Sequence, residues 1–137
     1  MPALDYQIVK TAPTEAIVEP YKAGGWWKES DQWRSIIPKM IEGSYCFMVA
    51  REPDGRLVGM GRAISDGVSD AYIQDVVVLR SHRGKGIGAE LVRLLAEHCS
   101  SRGISWIGLV AEPGTQPFYE RLGFHAFPGQ PMLHGRG

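Results

Sequence analysis

The chain has 137 residues, 44% of them hydrophobic, and 15 basic residues balance 15 acidic ones, so the formal net charge is zero. That length suits one ordinary domain with a core of its own. The charge balance excludes the basic excess of a nucleic-acid binder, and no polybasic cluster marks a membrane surface. The two cysteines, Cys46 and Cys99, each lie in an apolar run and read as buried thiols, with a disulfide or a nucleophilic thiol as the alternatives. The N-terminus lacks a signal-peptide pattern, and no apolar run reaches membrane-spanning length. The expectation is a soluble, cytoplasmic protein with a single domain over residues 1–137.

Tyr6 to Lys10 is a short strand candidate. Ala12 to Ala23 reads as a helix with Thr14 as its cap. Gly24-Gly25 ends it, and Trp26-Trp27 follows. Asp31 to Glu42 reads as a second helix, its apolar face formed by Trp33, Ile36, Ile37 and Met40, with Pro38 as a place where it splits or kinks. Ser44 to Arg51 and Arg56 to Ser65 are strand runs joined by the turn Glu52-Pro53-Asp54-Gly55, hence a hairpin. Ala71 to Leu79 contains Val76-Val77-Val78, the pattern of a strand buried on both faces. Gly84 to Arg102 is the clearest helix, with Ile87, Leu91, Leu94 and Leu95 in helical spacing and Gly103 as its stop. Ile104 to Val110 is a further strand, Pro117 to Leu122 a short helix, and Phe124 to Phe127 the start of a last strand. The tail 128–137, rich in proline and glycine, reads as flexible. The order is a meander followed by a βαβ unit: a mixed, mostly antiparallel sheet with flanking helices, α/β or α+β.

The strand Ile73 to Leu79 runs through Arg80-Ser81-His82 into Arg83-Gly84-Lys85-Gly86-Ile87-Gly88 and the long helix. The first N–H groups of a helix are unsatisfied and partly positive, and glycines let the backbone approach a bound group closely. With Arg83 and Lys85 beside them, these groups suit a pyrophosphate. A nucleoside-triphosphate loop needs Ser or Thr after Gly-Lys, and Gly86 stands there instead. A dinucleotide fingerprint expects its strand to open the fold, and this strand comes late. A helix start that binds nothing is the remaining alternative.

Arg83-x-x-Gly86-x-Gly88 at a strand-to-helix turn resembles the acetyl-CoA motif of the GNAT superfamily of N-acetyltransferases. Pro117-Phe118-Tyr119-Glu120-Arg121-Leu122-Gly123-Phe124 is similar to the Phe-Tyr-x-x-x-Gly-Phe signature of the same family. The two motifs stand in the family's order, and the resemblance covers nearly the whole chain. One departure is Ala111-Glu112-Pro113-Gly114, where many members carry an Asn that contacts the cofactor.

The resemblance implies acetyl-CoA as co-substrate, held by Arg83, Gly84, Lys85, Gly86, Ile87 and Gly88; its pantetheine arm would slot between the central strand and the following one, which splay apart at a bulge, along the backbone of Val76, Val77 and Val78. An N–H near Val76 or Val77 would face the thioester oxygen. It implies Tyr119 as the acid for the leaving thiolate and Asp75 as a base or amine-orienting group, with a packed tyrosine and an ion-paired acid as the respective alternatives. By strand alternation Gln74 and Asp75 point to opposite faces, so one of them faces the acceptor. Ile73-Gln74-Asp75 is similar to the Ile-Glu-Asp run of the glucosamine-phosphate branch. Trp26 and Trp27 lie where the family covers its acceptor, so they and Gln74 are the candidate acceptor residues; core packing is the alternative. No histidine spacing suggests a metal. The implied function is acetyl transfer to a small primary amine, with a protein lysine, a protein N-terminus, or a non-catalytic CoA-binding module as alternatives. No nucleic-acid or membrane partner is expected, and exposed sheet edges suit a homodimer.

Overall fold

The computed structural model describes residues 3–135. Its elements are β1 (Asp5–Ile8), α1 (Thr14–Ala23), α2 (Asp31–Gly43), β2 (Cys46–Arg51), β3 (Leu57–Ser65), β4 (Asp70–Val78), a 3₁₀ turn (Arg80–His82), α3 (Ile87–Ser100), β5 (Trp106–Gly108) and α4 (Gln116–Glu120). The five strands form one sheet in the order β1-β2-β3-β4-β5. The first four pair antiparallel and β5 pairs parallel with β4, which a crossover connection through α3 makes possible. The mixed, mostly antiparallel sheet with a βαβ unit is the architecture the sequence implies.

The unbroken apolar run of β2 is explained by two buried faces. Cys46, Met48 and Ala50 join Leu91, Leu95 and Cys99 of α3 in one core. Phe47 and Val49 point the other way and pack with Ile17, Val18 and Tyr21 of α1 and Ile37 and Ile41 of α2. A strand of period two with helices on both sides has no polar face left to show. Both cysteines are free and buried. Burial pushes both thiols up, Cys46 to about 11.

Three local expectations change, and one cap is new. Thr14 is the first residue inside α1; Pro13 holds the cap position with no side-chain bond. Ser30 is a working cap, its Oγ accepting from the Trp33 N–H at 3.0 Å. α2 continues through Pro38, so that proline does not split it. Phe124 to Phe127 forms no strand: Gly123 turns at φ 94° and the Phe124 N–H returns to the Tyr119 carbonyl at 3.1 Å instead of joining the sheet. Residues 128–135 carry no helix or strand and are exposed, and the rest of the tail lies outside the described residues.

Candidate functional site

The site begins where the sheet stops being regular. β5 pairs with β4 only from Asp70–Trp106 to Tyr72–Gly108. Beyond Tyr72, β4 runs on for six residues with no strand on that side. A strand edge with unpaired N–H and C=O groups inside a fold is a place for something extended to add on.

A bulge lies in the same stretch. Met60 stands opposite Val77 and Arg62 opposite Gln74, which leaves Gly61 alone against both Asp75 and Val76. Asp75 takes up the extra residue at φ 59°, the one non-glycine residue at positive φ among the described residues. Asp tolerates that conformation better than most residues. The space opposite is tight at Gly61: a Cβ there would come within 2.9 Å of the Leu95 side chain and 3.2 Å of that of Val76, so both would have to shift.

The bulge reverses the parity of β4. Ala71 and Ile73 face α3. Without the bulge Val77 would face α3 too, yet it packs among the α1 and α2 residues, while Val76 and Val78 pack toward α3. The alternation expected for Gln74 and Asp75 therefore fails. Gln74 stands opposite Arg62, and Arg62 reaches Asp75, so these consecutive side chains share the face toward α1. Leu79 donates its N–H to Val58 on β3 at 2.9 Å. Alternation then turns the peptide groups of Val78 and Val76 away from β3, toward the gap. The Val78 carbonyl accepts from Arg83 Nε at 3.0 Å, as that orientation demands.

Two cavities open along the gap. The larger, about 620 Å³, is lined by Val76 to Val78, Arg83, Gly84, Gly86, Ile87, Gly88 and Tyr119. Gly84 and Gly86 adopt φ 78° and 81°, and Gly86 caps α3. This turn leaves the first N–H groups of α3 without intrahelical partners. Ile87, the first residue of α3, is itself buried against the core. Arg83 spans the cavity wall, its Nη2 also reaching the Ala23 carbonyl at 3.2 Å. Lys85 is exposed and lies outside the lining. A strand edge followed by glycines and a cationic helix start fits an extended arm ending in a pyrophosphate, as in coenzyme A.

The smaller cavity, about 310 Å³, is lined by Trp26, Tyr72 to Val76, Leu109, Val110, Glu112 and Tyr119. Trp26, Val76 and Tyr119 line both cavities, so the two meet there. Tyr119 stands edge-on to Phe118 at 5.0 Å and to Phe124 at 6.0 Å, which explains the aromatic spacing of that motif. Its hydroxyl makes no hydrogen bond among the described residues. Burial, and then the Glu112 carboxylate, push the phenol above its ordinary value. Asp75 Oδ2 accepts from the Tyr21 hydroxyl at 2.6 Å and from Arg62 Nε at 2.8 Å. Burial first, and then the Asp75 charge, raise the Tyr21 phenol well above its usual range.

The two candidate tryptophans part company. Trp26 lies at the junction, edge-on to Tyr21 at 6.0 Å. Trp27 turns to α2, edge-on to Trp33 at 5.8 Å and beneath Arg34, and it lines neither cavity. Among the described residues its Nε1 is buried without a partner, an arrangement that costs about 1–3 kcal/mol. His82 reaches Glu52 at 3.3 Å and borders the larger cavity. No group of His, Cys, Asp and Glu among the described residues is arranged to hold a metal, and no helix among them is long and apolar enough to cross a membrane. Sequence reasoning missed Arg62, Tyr21, Tyr72 and Glu112. The first two come from elements distant in sequence; Glu112 was visible only as a departure from a motif.

The chain belongs to the Acetyltransferase (GNAT) family, whose profile matches residues 10–124. It is 42% identical over 74 residues to serotonin N-acetyltransferase 2, chloroplastic, of Oryza sativa, covering 54% of this chain and 37% of that one. It is 36% identical over 88 residues to the glucosamine 6-phosphate N-acetyltransferase of Trypanosoma brucei brucei, covering 60% of each. The chain thus spans only about a third to three fifths of these relatives. Among solved structures, a Trypanosoma brucei acetyltransferase superposes with TM-score 0.77 at 27% identity over 96% of this chain and 99% of that one. A GNAT-family acetyltransferase of Streptococcus pneumoniae gives 0.80 at 22% identity over 98% of each, a likeness of fold.

Proposed function

We propose that this protein transfers the acetyl group of acetyl-CoA to a small primary amine. The observation that carries this is the junction: a donor-shaped cavity and a second, aromatic cavity meet at Trp26, Val76 and Tyr119. Acetyl-CoA, when bound, supplies an acetyl group activated as a thioester. The chain's own groups do the rest. The gap-facing peptides of Val76 and Val78 offer hydrogen bonds to an extended arm, and the start of α3 with Arg83 receives its phosphates. Tyr119 holds a proton at the junction, where a thiol must leave. The proton lost by the amine goes to water at the open mouth beside the exposed Glu112.

The relatives' names offer a phosphorylated amino sugar and an aromatic amine as acceptors. Neither Lys nor Arg lines the smaller cavity, which disfavours a phosphate. The exposed Glu112 carboxylate and three aromatic rings line it, which favours a cationic amine with an apolar body; the Asp75 charge is already taken by Arg62. The cavity's small volume, about 310 Å³, favours a small amine over a protein lysine or N-terminus. The presence of Tyr119 at the junction favours an enzyme over a CoA-binding module.

The test combines thermal shift and thiol release. Acetyl-CoA and dephospho-CoA should both raise the melting temperature, and pantetheine alone should not. Thiol release should then be faster with arylalkylamines than with glucosamine 6-phosphate or a lysine peptide. Stabilisation by NADH and not by acetyl-CoA would sink the donor; preference for the sugar phosphate would sink the acceptor.

A further inference from the structure

We infer that Asp75, Tyr21 and Arg62 form a lock that sets the parity of β4, and that Asp75 serves the reaction as a positioning residue. The inference rests on the acetyl-transfer reading of the gap and gives that gap its cause. Three facts converge on Asp75. It is the residue at φ 59°. It is the point where β4 exchanges its faces. Its Oδ2 accepts from two donors at once, Tyr21 on α1 and Arg62 on β3.

The lock is anchored on both sides. Arg62 Nη1 reaches the buried Ser44 Oγ at 3.4 Å, and Ser44 Oγ donates to the Met40 carbonyl of α2 at 2.6 Å. Tyr21 is almost fully buried, and its carbonyl accepts the Trp26 N–H at 3.1 Å. The same tyrosine thus fixes the bulge and seats the tryptophan shared by both cavities. Asp75 and Arg62 keep 21% and 14% of their side-chain exposure, so water screens the pair little.

The consequence follows from a period of two. Removing the extra residue moves every later side chain of β4 to the other face and every peptide group with it. Val77, now bonded toward β3, would then offer its peptide to the gap, and Val76 and Val78 would withdraw theirs. The carboxylate also has an oxygen occupied by two donors, which suits holding a backbone better than accepting a proton from an amine.

The experiment compares Asp75→Asn, Asp75→Gly, Asp75→Ala and Arg62→Gln by CoA affinity, turnover, pH profile, and hydrogen exchange of the Val77 and Leu79 amides. Asparagine tolerates positive φ and keeps an accepting oxygen, so Asp75→Asn should keep turnover within about threefold and leave the acid limb of the pH profile in place. Asp75→Ala keeps neither feature; CoA should bind at least about tenfold more weakly, and both amides should exchange at least about tenfold faster. Asp75→Gly, which relieves the backbone but loses the carboxylate, should fall between them, and Arg62→Gln should resemble it; these two carry the test if the alanine variant does not fold. A loss of about 100-fold in Asp75→Asn with unchanged CoA affinity and exchange would make Asp75 a base and overturn the lock. Unchanged affinity and exchange in all four would overturn it too. If the wild-type protein bound no CoA, the donor reading would fall, while the exchange rates would still decide the lock.

Discussion

Replacing Tyr119 by phenylalanine removes one oxygen and little else. The ring keeps its edge-on contacts with Phe118 at 5.0 Å and Phe124 at 6.0 Å. The hydroxyl has no hydrogen bond among the described residues to lose, so the change in stability should stay within about 0.5 kcal/mol, the range of substitutions that break nothing. Turnover should fall more. General acids contribute about 10²- to 10⁴-fold. A thiol with a pKa near ~8.5 leaves tolerably as thiolate, which places the loss near about 10², or about 2.7 kcal/mol of barrier. Because burial and Glu112 raise the phenol above its ordinary value, it stays protonated through neutral pH. The ratio of wild-type to variant turnover should therefore be flat from about pH 6 to about pH 8. The assay is thiol release from acetyl-CoA, with CoA affinity by calorimetry and melting temperature measured on the same sample. Undiminished turnover would remove the hydroxyl from the reaction. A fall matched by lost CoA affinity or lost stability would make it a structural group.

Three other changes probe separate parts of the chain. Gly86→Ala meets no atom within 4 Å, so its cost is the φ of 81° alone: about 1 kcal/mol of stability, read by a urea melt, with CoA affinity about tenfold weaker by calorimetry. Equal CoA affinity in the folded variant would show that no phosphate is held there. Ser30→Ala removes the cap of α2 and should cost about 1 kcal/mol, lowering the melting temperature by about 3–5 °C; no change would mean that the Trp33 N–H finds water equally good. Asp66 is held down to about 2 by the Ser69 hydroxyl first and then by the Ser69 and Val68 N–H groups. Its folded value lies below its unfolded one, so the stability it adds is present above the ordinary carboxylate range and is lost as pH falls through about 2. Urea melts between about pH 5 and about pH 2 should show Asp66→Asn losing less stability over that window than the wild type.

Most of the fold was legible because periodicity follows burial. The strand run Ser44 to Arg51 and the α3 spacing of Ile87, Leu91 and Leu95 announce themselves in the sequence, and the donor loop by glycines beside Arg83. The parity that the bulge imposes was not legible. Val76-Val77-Val78 looks the same in either parity, and what sets it is a hydrogen bond between residues 54 apart in sequence, Tyr21 and Asp75. Counting alternation through Gln74 and Asp75 therefore gave the wrong face. Trp26 and Trp27 are adjacent and alike in sequence, and only the turn after α1, closed by the Trp26 N–H on the Tyr21 carbonyl, sends one to the site and the other to α2. The Phe124 run has strand-forming residues, but propensity alone cannot make a strand without a neighbour to pair with.

The site lies where local propensity and backbone pairing part company. Local propensity, pattern and packing agree along β2, β3 and α3, and a segment on which they all agree has its polar backbone groups already paired. A bound chain needs groups that are not. This fold leaves them free in two ways along one line: β5 stops pairing after Tyr72, and Gly86 begins α3 with its first N–H groups unpaired. Each break has a local cost, and each has its own offset. Asp75 at positive φ is held by two donors, and the glycines of the loop take positive φ with no Cβ to strain. Strengthening either break toward regular structure, by extending β5 along β4 or by moving the start of α3 back to Gly84, would stabilise the chain and close the site.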